Sequence, residues 1–396
     1  MSQHALAERS ERAELRSLRI LHVSPSFAPA WRYGGPIHTG LRLCGELARS
    51  GCEVRVLTTN ANGPRMVLDV PTTGEVDMGE RLRVRYCPRI MPHSVSPTFL
   101  RELPNYVRWA DVVNLSAVYS FPTIATLLAC RMLSRPVVWS PHGALQRWGK
   151  STRPRLKKVW EQVCRIAAPH NALLHLTSEE EAQESMHRVR GIEAIVIPNG
   201  VEIPPEMERA ERGETLRLVF LGRLHLKKGI ENLLAACRLL NRRGLKYSLT
   251  IAGAGEPAYE ASLKRVIKRL GLSNQATMVG QVMGEAKRKL FENADVVVIP
   301  SYTENFCMVV AEALAHKVPV IASKGTPWPR VEEVGCGLWV DNEPEILADA
   351  IERINHMPLA EMGKKGRRWM IDEFAWEKIT VQMLQCYNSL TTARDS

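Results

Sequence analysis

The chain has no apolar run long enough to cross a bilayer. Its best candidate, Phe121 to Leu133, is cut by Arg131 and falls short of the ~18 residues that a span needs. The N-terminal stretch from Met1 to Arg19 is charged and lacks the apolar core of a secretory signal. The nine cysteines are odd in number, scattered, and never spaced Cys-x-x-Cys, which excludes a zinc cage or a thiol redox motif and leaves them as small buried hydrophobes. Helix-turn-helix signatures, RNA-binding aromatic motifs and zinc fingers are all missing, so nucleic acid is not an expected partner. These absences together predict a chain that stays in the cytoplasm.

What is present is an α/β alternation repeated twice. At 396 residues the chain exceeds one ordinary core and suits two domains. In the first half, apolar strands are expected at Leu18 to Ser24, Val54 to Thr58, Asp111 to Leu115, Pro136 to Ser140, Leu173 to Thr177 and Ala194 to Ile197, with a helix from about Ile37 to Ser50. Pro198-Asn199-Gly200 marks a turn, and Ile203 to Glu214 reads as a linker. The alternation restarts with strands at Leu216 to Leu221, Tyr247 to Ala252, Ala276 to Val279, Val296 to Ile299 and Val318 to Ile321, and a helix from Ile230 to Asn241. Two such halves imply two doubly wound sheets facing each other across a cleft, with ligands at the carboxyl ends of the strands.

Three segments at those ends carry chemistry. After the strand ending at Pro300, the run Ser301 to Leu314 places Glu304 in a loop, with a helix expected to begin near Asn305 or Phe306. Backbone N–H groups at such a start, those of Asn305, Phe306, Cys307 and Met308, suit a diphosphate. Glu312 lies eight residues beyond Glu304, about 12 Å along the axis if the backbone between is helical, too far for an acid/base pair on one bond. The alternative is plain: Glu304 merely favours a helix dipole and Glu312 is solvated. In the second segment, Gly222 to Gly229, Arg223 and Lys228 flank a strand-to-helix turn of the kind that holds phosphate. The third is Gly34-Gly35, which lets backbone approach a ligand or simply makes a tight turn; the spacing is not that of a dinucleotide fingerprint. His142, in Ser140-Pro141-His142-Gly143, is a base, a sugar contact or a packed histidine.

Taken together, these motifs resemble the retaining glycosyltransferases of family 4. The resemblance runs along nearly the whole chain and is most specific at the Glu-x7-Glu segment, then at Gly-Arg-Leu…Lys-Gly, Pro198-Asn199-Gly200 and Ser140-Pro141-His142-Gly143. It implies a GT-B fold with an acceptor-side domain over 1–198, a nucleotide-sugar domain over 199–372, and a C-terminal helix over 373–396 returning to the first domain. It also implies that Arg223 and Lys228 neutralise a diphosphate, Glu304 contacts donor-sugar hydroxyls, Glu312 binds the ribose, His142 faces the sugar, and the Gly34-Gly35 backbone touches phosphate. The expected donor is a UDP- or GDP-sugar. The segments Ser140 to Leu145 and Gly325-Thr326-Pro327-Trp328 further resemble transferases of bacterial envelope polysaccharide and lipopolysaccharide, which implies a glycan or lipid-linked glycan acceptor.

Some positions depart from that pattern. Cys307 and Lys317 stand where glycine is usual, and the second of these sites demands a left-handed backbone. Asn114 and Ser116 occupy places often held by histidines. No Asp-x-Asp occurs in the second half, so the sequence requires no metal and no other cofactor. The net charge of +11 is concentrated in part between Arg147 and Arg165, where Lys150, Arg153, Arg155, Lys157 and Lys158 surround Trp148 and Trp160. That stretch is either a solvated helix face or a contact with anionic membrane. An epimerase, a phosphorylase and a degenerate binder share the architecture and remain alternatives.

Overall fold

The computed structural model describes residues 18–63, 65–146, 153–206 and 213–392. The chain divides into two compact units, one formed by the residues up to Gly200 together with Trp376 onward, the other by Val201–Ala375. Among the described residues no helix is long and apolar enough to cross a membrane.

The first unit is built on strands β1 (Arg19–Val23), β2 (Glu53–Thr59), β3 (Val76–Gly79), β4 (Leu82–Cys87), β5 (Val112–Ser116), β6 (Val137–Ser140), β7 (Ala172–Leu176) and β8 (Glu193–Val196). Their order in the sheet is β3-β4-β2-β1-β5-β6-β7-β8, and only β3 runs antiparallel to its neighbour. The second unit carries β9 (Leu216–Leu221), β10 (Tyr247–Ala252), β11 (Ala276–Gly280), β12 (Val296–Ile299), β13 (Val320–Ser323) and β14 (Gly337–Val340), ordered β11-β10-β9-β12-β13-β14 and wholly parallel. Helices on both faces bury the central strands twice over, so those strands are mostly apolar. Leu216, Leu218 and Phe220 enter one core while Val219 enters the opposite one, as alternation across a sheet requires.

Each sheet starts with the same device. The Arg19 guanidinium holds Asp111 at 2.9 Å, and the Arg19 N–H donates to the same carboxylate at 2.9 Å. In the second unit Arg217 does both to Asp295, at 2.8 Å each. The aspartate precedes the strand that pairs with the first one, so the ion pair pins the two central strands at their amino ends and leaves the carboxyl ends free for ligands.

Three strands escape sequence reading. β4 carries Arg83 and Arg85 and reads as loop, yet Arg85 is buried, its guanidinium donating to both Glu102 oxygens at 2.6 and 2.7 Å. β3 is short and mostly exposed, and β14 opens on Gly337, two residues after Gly335. Strand β13 begins at Val320 rather than Val318, because Lys317 is left-handed (φ 60°) and Val318-Pro319 belong to the turn.

The tail also differs in detail from one continuous helix. Phe374 ends a π-helical turn, Met370–Phe374, and stays in the second unit against Trp328 (5.2 Å) and Trp369 (5.4 Å). The final helix, Trp376–Thr392, packs into the first unit, where Trp376, Ile379, Met383 and Tyr387 join its core. A Cβ on Gly200 would lie 2.3 Å from the Trp376 ring, so the turn glycine is required by that packing. Asn114 donates to the Tyr387 hydroxyl at 3.0 Å, which gives this departure from the family pattern a structural task.

Candidate active site

In the second unit four strand-exit loops are pressed backbone to backbone at three seams. A Cβ on Gly253, after β10, would sit 1.8 Å from the Gly222 carbonyl oxygen, after β9. Gly229 is left-handed (φ 62°), starts the helix Ile230–Arg242, and would place a Cβ 2.0 Å from the Pro300 oxygen after β12. Gly325, after β13, would meet Ser301 at 2.4 Å. Hydrogen bonds close the same seams: the Tyr302 N–H donates to the Lys227 carbonyl at 2.8 Å, and the Glu304 N–H to that of Gly325 at 2.8 Å. Only glycine permits these approaches, and they carry Lys228 to Glu304 across 76 residues of sequence.

There the Lys228 ammonium donates to the Glu304 carboxylate, which also accepts from the Ser301 hydroxyl at 2.7 Å. Glu304 is 9% exposed, so its charge needs these partners. Arg223 is exposed beside them in sequence. Burial lowers the Lys227 pKa, Glu304 partly restores it, and Lys228 and Arg223 oppose its charge. His225 is likewise lowered, by burial first and then by Arg223 and Lys227. Three cations, Lys227, Lys228 and Arg223, gathered about one buried carboxylate leave an electropositive surface that favours an anion.

The helix after Glu304 begins later than the sequence suggests. It spans Met308–Ala315, capped by Cys307 in the left-handed region (φ 65°), which a continuing right-handed helix cannot contain. Asn305 and Phe306 therefore lie outside it, and the axial distance assumed between Glu304 and Glu312 does not apply. Phe306 serves the core, edge-on to Trp328 at 5.2 Å. The donors at the start are the N–H groups of Met308 and its neighbour Val309. Burial pushes the Cys307 thiol up to about 12, so it is no nucleophile at neutral pH. Glu312 is paired with Lys287, from the helix Gly284–Glu292, at 2.6 Å. Lys287, Lys227 and Ser301 were given no role of their own by sequence, and Gly325 only marked a resemblance, because their relevance comes from loops and helices brought together from distant positions.

The remaining sequence-derived residues lie on the first unit. Gly34 (φ 70°) caps the helix Gly35–Arg49, and no atom lies within 4 Å of a Cβ added to Gly34 or Gly35. Gly34 is thus required by its backbone, and Gly35 by neither space nor φ. His142, left-handed at φ 50°, follows β6 and shares a 2.7 Å hydrogen bond with Ser116. It lines a small cavity with His22, Asn114, Ser140, His175 and Trp376. His175 is held by Ser140 and the Ile197 carbonyl, both at 2.9 Å, whereas neither ring nitrogen of His22 has a partner among the described residues.

Burial pushes His22 down to about 3 and His142 and His175 down to about 4. All three are neutral at physiological pH, and each can both donate and accept. The unfolded chain titrates these groups near ~6.5. Between that value and about 4 it binds protons that the folded chain refuses, so stability rises with pH there. Stability is full above ~6.5 and is lost as pH falls through the folded values. Urea midpoints should drop steeply as pH is lowered across that window; a flat profile would contradict neutral burial of the cluster.

Two family profiles cover the chain: "Glycosyltransferase Family 4" over residues 33–203 and "Glycosyl transferases group 1" over residues 206–369. The chain is similar to the D-inositol 3-phosphate glycosyltransferase of Arthrobacter sp. (strain FB24), 27% identical over 93% of each chain. It is similar as well to the GDP-mannose:cellobiosyl-diphosphopolyprenol alpha-mannosyltransferase of Xanthomonas oryzae pv. oryzae (strain PXO99A), 26% identical over 63% of this chain and 65% of that one. Among solved structures, Anabaena HepE in complex with UDP-glucose matches with a TM-score of 0.71 at 18% identity, covering 94% of this chain and 100% of that one, a likeness of fold. The chain belongs to glycosyltransferase family 4 and is a retaining, nucleotide-sugar-dependent, hexosyl-type glycosyltransferase of GT-B fold.

Proposed function

We propose that the protein transfers a hexose from a UDP- or GDP-sugar to a hydroxyl of a glycan or lipid-linked glycan, in assembly of a bacterial envelope polysaccharide or lipopolysaccharide. On this reading the unit Val201–Ala375 holds the donor and the other unit takes the acceptor. Arg223 and Lys228 neutralise the diphosphate, aided by N–H groups around Cys307 and Met308. Glu304 accepts from sugar hydroxyls. Glu312 takes the ribose and must then share its carboxylate with Lys287. His142, Gly34 and Gly35 keep the roles that the resemblance gives them.

As the sugar leaves, negative charge grows on the diphosphate while the anomeric carbon becomes positive. Fixed donors and cations lower that barrier because they need no reorganisation when the charge appears. The observation that carries the reading is the Lys228–Glu304 pair, a cation and a buried carboxylate fixed side by side by three glycine seams. The donor class has support from one relative, named for GDP-mannose, and from the HepE structure, which contains UDP-glucose.

A thermal-shift screen over UDP-, GDP- and ADP-sugars tests the reading. A ligand at 100 times its dissociation constant stabilises by about 2.7 kcal/mol. We expect a clear rise with UDP- or GDP-sugars and none with ADP-sugars. No rise with any of them would overturn the proposal.

A further inference from the structure

The helix Pro154–Ala167 has an unusual outer face. Its inner face buries Glu161, Cys164 and Ala167, and Trp160 anchors it by donating to the Val118 carbonyl at 2.7 Å. Outward point Leu156, Val159, Val163 and Ile166, which are 59%, 61%, 40% and 64% exposed. Spaced three or four residues apart, they form one stripe about 80° wide at 3.6 residues per turn. The adjoining arc carries Arg155, Lys158 and Arg165, all exposed. The helix has one acid, Glu161, and it is buried beneath the Tyr119 hydroxyl that donates to it. The helix Phe121–Met132 extends the patch: its Arg131 donates to the Ile166 carbonyl, and the next residue, Met132, is 82% exposed. Arg147, Trp148 and Lys150, which continue the basic run in sequence, lie outside the described residues.

An apolar stripe in water is unfavourable unless something covers it. Here its rim is of one sign, so whatever covers it is anionic, and the stripe is continuous and narrow, as suits insertion at a headgroup boundary. We propose that this helix seats the protein on an anionic bilayer, with Leu156, Val159, Val163 and Ile166 at the acyl boundary and Arg155, Lys158 and Arg165 on lipid phosphates. The inference deepens the reading of a lipid-linked acceptor: such an acceptor stays in the membrane plane, and an enzyme seated there meets it by diffusion in two dimensions.

Flotation of the intact protein with vesicles of phosphatidylglycerol and phosphatidylcholine in equal parts, against phosphatidylcholine alone, tests it. The wild type should float with the mixed vesicles at low salt, be released in large part by high salt, and hardly float with phosphatidylcholine. Each basic side chain near such a surface strengthens partition by about fivefold, so reversing three (Arg155→Glu, Lys158→Glu, Arg165→Glu) should weaken it by at least ~100-fold. The variant with glutamine at Leu156, Val159, Val163 and Ile166 should also stay in solution, and its substitutions fall on exposed positions that leave the core intact. Absence of flotation at low salt, or flotation unchanged in both variants, overturns the proposal. So does a stripe variant that turns a wild-type dimer into a monomer in sizing chromatography, since a second copy would then be what covers the stripe. A UDP- or GDP-sugar thermal shift is run in parallel: a normal shift without vesicle binding sinks the membrane seat alone, and vesicle binding without any shift sinks the donor reading alone.

Discussion

Replacing Lys228 by alanine should lower transfer by at least ~100-fold, the scale seen on losing one fixed charge-stabilising donor. That loss is about 2.7 kcal/mol of barrier, at 1.36 kcal/mol per factor of ten. A solvent-exposed ion pair is worth only ~0 to 1 kcal/mol, so a loss on this scale cannot come from breaking an ordinary surface contact. Lys228 is not fully exposed, however, and its removal leaves the buried Glu304 carboxylate with Ser301 as its remaining hydrogen-bond donor. Part of the effect could then be structural. Arg223→Ala separates the two contributions. Arg223 lies on the surface, where substitutions usually stay within ~0.5 kcal/mol of neutral. It should therefore melt like the wild type yet lose transfer on the same scale. Wild-type turnover in both variants, measured with saturating acceptor, would refute the assignment of the diphosphate to this turn.

Gly229→Ala should be a strongly destabilising small change. Alanine in a left-handed backbone costs about 1 to 2 kcal/mol. The added Cβ would also lie 2.0 Å from the Pro300 oxygen and 2.7 Å from the Asn342 amide nitrogen, and overpacking of this kind costs about 1 to 3 kcal/mol. A total near ~3 kcal/mol should lower the melting temperature by about 6 to 12 °C for a unit of this size. The strain falls on the seam between the Lys228 turn and the loop after β12, so donor affinity should fall with it. Gly35→Ala is the matched control. It has neither a positive φ nor a neighbour within 4 Å, and it should leave the melting temperature unchanged. Equal melting of the two variants would show that the seam does not hold the site together.

The two halves were legible because their strands are buried on both faces. Val296–Ile299 is an unbroken apolar run, Leu216–Leu221 is apolar but for Arg217 and Tyr247–Ala252 but for Ser248 and Thr250, and sequence places the ends of all three where the structure does. β4 was not legible, because Arg85 looks like a surface residue until Glu102, 17 residues on, neutralises it inside the fold. The two positions where glycine is usual behave as their neighbours demand. Cys307 and Lys317 keep the left-handed backbone, at φ 65° and 60°, and bear the strain of a side chain there. For Cys307 the consequence is local: its backbone delays the helix to Met308 and narrows the donor groups that sequence had placed at Asn305, Phe306, Cys307 and Met308 to those from Met308 onward.

The site itself was half legible. Arg223, Lys228 and Glu304 stand out because they follow strands, where ligands of parallel sheets gather. Their geometry was hidden, since the Lys228–Glu304 pair depends on Gly229, Gly253 and Gly325, which let four loops meet. The Lys287–Glu312 pair was hidden for the same kind of reason: the lysine comes from another helix, with no local pattern to mark it. The neutral cluster of His22, His142 and His175 gathers from three strands' ends, and nothing in the spacing of the three residues announces it.

The most direct measurement is a crystal structure with UDP or GDP soaked in. The account places both phosphates beside Arg223 and Lys228, within hydrogen-bond reach of the N–H groups at Met308 and Val309, and the pentose at Glu312. Phosphate density at any other place on the protein, with Arg223 and Lys228 untouched, would contradict it.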